Sequence, residues 1–109
     1  MNDKREHFRI KYREGDRPTL VMGGVKFEVL DLSEQGLRFD GGQRYKPAAK
    51  AVIRGTITLK SGKSCAVSGT LLRYDAIKHA CIVQLEKGIP LTLIMEEQRA
   101  MLKKGKASA

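Results

Sequence analysis

Thr19-Leu20-Val21-Met22-Gly23-Gly24-Val25-Lys26-Phe27-Glu28-Val29-Leu30 is the stretch that decides the fold. Two apolar runs are joined by nothing more than a pair of glycines. A two-residue link between strands needs positive φ at its central positions, which glycine adopts without a steric penalty, so the pair reads as a hairpin turn. In the second run Val25, Phe27 and Val29 alternate with Lys26 and Glu28. That period of two belongs to a strand with one buried face and one wet face.

Working outward, the same grammar repeats. Asp31 to Gly36 breaks the strand, and Leu37-Arg38-Phe39 resumes it before a loop holding Gly41, Gly42 and Pro47. Val52 to Leu59 and Ser64 to Tyr74 form a second hairpin around Ser61-Gly62. Ile53, Ile57 and Leu59 share one face of it, as do Cys65, Val67 and Leu71. Gly55 and Gly69 interrupt these runs, which marks a bulge or tight bend of the kind that closed barrels use at their corners. Cys81 to Leu85 supplies a last strand. About six strands with short connections predict an all-β-dominated fold, a small antiparallel barrel.

One helix follows, over Pro90 to Lys104. Leu91, Ile94, Met95, Met101 and Leu102 recur at three- and four-residue steps and predict its buried stripe. Pro90 suits the first turn, Glu96 and Glu97 precede Arg99, Lys103 and Lys104 in the sense the helix dipole favours, and Gly105 suits the cap. The helix is expected to pack on the barrel or close one end, with Lys106 to Ala109 as a disordered tail. At the other terminus residues 1–16 are crowded with charge, and only Phe8, Ile10 and Tyr12 can anchor them. Their spacing of two predicts an extended, flexible arm. The organisation is one domain: an arm over 1–16, a barrel over 17–88 and a helix over 89–105.

At 109 residues the chain can bury roughly two-thirds of its unfolded surface and needs no disulfide or metal staple. Cys65 and Cys81 are too few and too far apart for a CxxC redox or zinc site, and both are expected reduced and buried. His7 and His79 have no third ligand at metal spacing. No apolar run approaches the roughly 20 residues of a membrane span. Met1 to Glu6 has no apolar h-region, so the expected location is the cytoplasm. The net charge of +9 points to an anionic partner, without choosing between nucleic acid, anionic lipid and a small phosphorylated ligand.

Two short motifs narrow that choice. Arg5-Glu6-His7-Phe8-Arg9 sets two guanidinium groups at i and i+4 on the arm. Asp31-Leu32-Ser33-Glu34-Gln35-Gly36 sets a carboxylate, a hydroxyl and a glycine in a turn between two apolar runs. Paired arginines can fork onto the O6/N7 edge of guanine or onto phosphate oxygens. A carboxylate can accept hydrogens from guanine N1 and N2. No catalytic arrangement accompanies them: Ser33 has no histidine at a motif spacing, there is no GxxxxGK[ST] loop, and an enzyme is not expected.

Arg5-x-x-x-Arg9 on an N-terminal arm, followed by Asp31-x-Ser33-x-x-Gly36 at a strand-ending turn, resembles the PilZ domain, a bacterial receptor family for cyclic di-GMP. The likeness extends over nearly the whole chain, since a six-stranded antiparallel barrel with a C-terminal helix also fits that family. It implies that Arg5 and Arg9 grip the ligand, that Asp31 meets the polar edge of a guanine, and that Ser33 contributes its hydroxyl or backbone. Gly36 would allow the turn and a close approach of the backbone. Lys4 stands just before the first arginine, a position linked in similar proteins to the number of ligands bound. A lysine there adds a cation without an arginine's flat stacking face. The resemblance implies no cofactor beyond the ligand. It also implies a downstream partner protein, and an output in motility, adhesion or exopolysaccharide production.

Energetics constrain the arm. A bidentate Arg–guanine contact is worth roughly 1–3 kcal/mol, whereas ordering each residue costs about 1–2 kcal/mol. Ten wholly disordered residues would outweigh two such contacts. The arm is therefore expected to be partly ordered beforehand by Phe8, Ile10 and Tyr12, with ligand completing the order. The competing reading is a basic barrel that tracks nucleic acid. Three Phe, three Tyr and no Trp leave few stacking platforms for it.

Overall fold

The computed structural model describes residues 9–43 and 45–108, and for residues 103–108 the backbone alone. Among the described residues seven strands and one helix follow in chain order: β1 (Ile10–Lys11), β2 (Thr19–Met22), β3 (Val25–Leu32), β4 (Gly36–Asp40), β5 (Val52–Thr58), β6 (Ser64–Asp75), β7 (Ala80–Lys87) and α1 (Leu91–Ser108). All pairings are antiparallel. Strands β3, β2, β5, β6, β7 and β4 lie side by side in that order, and β4 returns to β3 to close a six-stranded barrel. The seventh strand, β1, comes from the stretch read as arm and adds itself to the far half of β3.

The decisive hairpin forms as its sequence dictates. Gly23 and Gly24 turn with φ of 58° and 82°, and Leu20 pairs with Phe27 across the ladder. Burial then deepens along β3: Val25 is 54% exposed, Phe27 is half-buried and Val29 is fully buried. The start of that strand projects past the barrel, so the buried face expected for all three belongs in full to Val29 alone. Phe39, Leu37, Ile53, Ile57, Val67, Leu71, Val83 and Leu85 fill the interior.

The helix departs from expectation in length and in face. It begins as Leu93 and Ile94 donate backbone N–H to Pro90 O, but it runs through Gly105 to Ser108 rather than capping there. Residues 106–108, expected as a tail, are therefore helical. Its expected stripe splits. Ile94 is fully buried in the core and Leu93 and Met101 pack against it, while Leu91, Met95 and Leu102 remain exposed. The space between them is taken by Glu97, which has no exposed surface at all.

Cys65 and Cys81 are free thiols. They lie on neighbouring strands, but Cys81 faces Tyr74 and Cys65 faces Ile57, so the two are far apart along the ladder. Cys81 is buried as expected, and burial, helped by the Asp40 charge, pushes its thiol up to about 11; Cys65 is only half-buried. Among the described residues no helix is long and apolar enough to cross a membrane.

Candidate functional site

The barrel's outer face carries the site, and a bulge puts it there. On β3 the register against β4 steps from Val29↔Phe39 to Asp31↔Arg38, leaving Leu30 as the extra residue. Strict alternation from Val29 would turn Asp31 into the core. The bulge rotates it outward instead, beside Arg38 on one neighbour and Lys11 on the other.

Asp31 is nonetheless buried, because two guanidinium groups cover it. Arg9 Nη1 donates to Asp31 Oδ1 at 2.5 Å. Arg38 Nε lies 2.9 Å from Oδ2 as a charge contact, without the alignment of a hydrogen bond. The acid side chain is 4% exposed and the two cations 47% and 39%. One face of each arginine is therefore bound and the other is open to solvent. Charge-assisted pairing of this kind orients an arginine without using up its five donors.

A short turn over Ser33 to Gln35 links β3 to β4. Ser33 N donates to Gly36 O at 2.9 Å, and Ser33 Oγ adds a longer contact to the same carbonyl at 3.3 Å. Strand β7 and the segment after it pin the turn: Leu85 N donates to Gln35 O and Ile89 N to Glu34 O, each at 2.8 Å. Gly36 itself is the first residue of β4, paired with Gln84. Its φ is not positive, so the turn does not need a glycine for that reason. Space does. A Cβ at Gly36 would sit 3.3 Å from Val83 O and 3.7 Å from Arg9 Nη2, under the arginine that crosses it.

Arg9, Ser33 and Gly36 thus line one cleft of about 280 Å³, with Gln35, Leu72, Ile82 and Gln84 on its other walls. A larger groove of about 760 Å³ runs along Val25, Phe27, Gly41 and Tyr45, but brings none of the motif residues together. Of the residues singled out from sequence, Arg9, Asp31, Ser33 and Gly36 meet here. Arg5 and Lys4, with His7 and Phe8, lie outside the described residues. Arg38 escaped the sequence reading, although its place two residues after Gly36 on the same strand face was a usable signal. Leu72 and Gln84 had none.

The arm is fastened just beyond the cleft. Ile10 is buried against Leu32, and Tyr12 N donates to Leu30 O at the bulge. The Tyr12 hydroxyl donates to Glu97 Oε2 at 2.7 Å, while Lys60 N and Ser61 N donate to Oε2 and Oε1 at 3.0 and 2.8 Å. One buried side chain of α1 therefore ties the arm to the β5–β6 turn. Burial, and then the bond to Glu97, hold the Tyr12 hydroxyl well above its ordinary pKa.

No family model, no curated protein and no solved structure matches this chain.

Proposed function

We propose that the protein is a PilZ-type receptor for cyclic di-GMP, which reports occupancy to a partner protein through its N-terminal arm. What supports the reading is one observation: Arg9, from the first motif, crosses Gly36 and pairs with the buried Asp31, from the second, while lining a cleft with Ser33 and Gly36. Residues far apart in sequence converge on one face with the chemistry that a guanine bearing a phosphodiester requires. The open face of Arg9 forks onto phosphate or onto guanine O6/N7. Asp31 then has Arg38 to hold it while it accepts from a guanine edge.

The route outward is short. Arg9 adjoins β1, and β1 leads into Tyr12, which is locked to α1. Ligand that redirects Arg9 therefore pulls on a segment already half built, at a lower entropic cost than ordering a free tail. The resulting arm surface is what a partner reads, with motility, adhesion or exopolysaccharide production as the output that the PilZ likeness suggests.

Titration calorimetry tests this directly, with cyclic di-GMP and a single-stranded RNA compared at moderate salt. Saturable heat from the dinucleotide, lost in Arg9→Ala and in Arg5→Ala, is the expected result. No heat from the dinucleotide with a folded protein would reject it, and tight salt-steep RNA binding would put the nucleic-acid reading in its place.

A further inference from the structure

A second bulge faces the same cleft. On β6 the register against β7 steps from Leu71↔Val83 to Arg73↔Ile82, which leaves Leu72 without a cross-strand partner. Leu71 is buried, and Leu72 and Arg73 both turn outward before Tyr74 packs against the core again. The result is a leucine 59% exposed on the barrel wall, within the cleft that Arg9 lines. Ile82, half-buried on β7, stands beside it in that lining and pairs across to Arg38 on β4. Bulges re-aim side chains, and they gather where a site needs one re-aimed. The bulge at Leu30 delivers the carboxylate to this face. The bulge at Leu72 delivers hydrocarbon to it.

The chemistry of the cleft makes that delivery intelligible. Arg9 and Ser33 in its lining, with Asp31 buried behind Arg9, offer charge and hydrogen bonds, which suit the edge of a base and its phosphates. Arg9 alone has a flat face, and it is charged and already paired with Asp31; none of them offers hydrocarbon to the base's face. A leucine left largely in water forgoes burial that a ligand's ring would recover.

We propose that Leu72, with Ile82 at its side, is the apolar shelf on which one purine ring of the bound nucleotide lies. The assignment rests on the receptor reading above and adds to it the residue that selects for a planar base. A nucleotide held only by phosphate would not need it.

Cyclic di-GMP titrated into the wild type and into Leu72→Ser, Leu72→Trp and Ile77→Ser decides the matter. Loss of the shelf in Leu72→Ser weakens binding about tenfold, whereas Leu72→Trp tightens it because a base stacks better on an aromatic ring. Ile77→Ser removes an apolar side chain 90% exposed and outside the cleft, and leaves affinity unchanged. The slope of affinity against salt stays the same in Leu72→Ser, since no charge contact is removed, but falls in Arg9→Ala. Ligand-free melting temperatures of Leu72→Ser and the wild type agree closely, which separates a contact from a folding defect. A wild type that binds while Leu72→Ser binds equally well overturns the shelf and leaves the receptor. A wild type that does not bind overturns both.

Discussion

Among the described residues two carboxyl groups are buried, and they are buried in opposite ways. Glu97 has no exposed surface and is satisfied by neutral donors that cannot leave: one phenol and two backbone N–H groups. Asp31 is almost as deep, yet its partners are two arginines, each with much of its side chain in water. Neutral donors fixed in the fold make a joint. Half-exposed cations with spare donors make, on the proposed reading, a lid that a competing anion can lift. Depth of burial alone does not separate the two; the charge and exposure of their partners do.

The sharpest way to break the contrast is Glu97→Ala. Removing the acceptor strands a buried hydroxyl and two backbone donors, each costing about 1–3 kcal/mol when left unpaired, and we expect a loss of about 3–5 kcal/mol in a urea titration. Cyclic di-GMP affinity of the fraction that stays folded should change much less than in Arg9→Ala. A Glu97→Ala protein as stable as the wild type would show that the joint bears no load.

Asp31→Ala should behave the other way round. Arg9 and Arg38 can turn to water once the acid is gone, so stability shifts by less than about 1 kcal/mol. Binding, by contrast, should fall by about 1–3 kcal/mol, or roughly ten- to a hundredfold, with preference for guanine over adenine reduced. Calorimetry with cyclic di-GMP and cyclic di-AMP reads both effects. A large drop in melting temperature without ligand would make Asp31 a second joint and erase the distinction.

The same contrast explains what could be read from the sequence. The barrel was legible because each hairpin announces itself locally, by Gly23-Gly24 or by Ser61-Gly62 between alternating runs. The motif residues were legible because their types and spacing carry chemistry. Leu30 and Leu72 look like ordinary strand leucines, and a bulge depends on which register the neighbouring strand takes, which is a property of the closed barrel. Gly69 does sit at a register shift, as a strand glycine suggests, and both glycines are also needed for space: a Cβ would collide with Gln84 O at Gly69 and with Val21 O at Gly55. Glu97 was misread for a related reason. Beside Glu96 it looks like a solvated charge, and only the arrival of Tyr12, from the far end of the chain, gives it a reason to be inside.

The mildest test separates the joint's parts by pH. Tyr12→Phe keeps the ring packed and removes one of the three donors to Glu97, so about 1 kcal/mol is expected at neutral pH. Burial and the Glu97 bond raise the Tyr12 pKa above its ordinary 10.0, so the native state holds this proton at pH values where the unfolded chain gives it up. The unfolded state then binds fewer protons, and stability falls as pH rises past 10.0. Cys81 acts in the same direction but earlier, because its thiol moves from 9.0 to about 11 on burial. Its share is fully present below 9.0 and is lost between there and about 11. Urea midpoints of the wild type should therefore decline in two overlapping stages through the alkaline range. Cys81→Ala should remove the first stage and Tyr12→Phe should shrink the second, to which Tyr45, also raised by burial, adds the remainder. A wild-type midpoint that stays level through that range would mean that the phenol and the thiol are reached by water, and the joint between arm and helix would be far looser than the lid over Asp31.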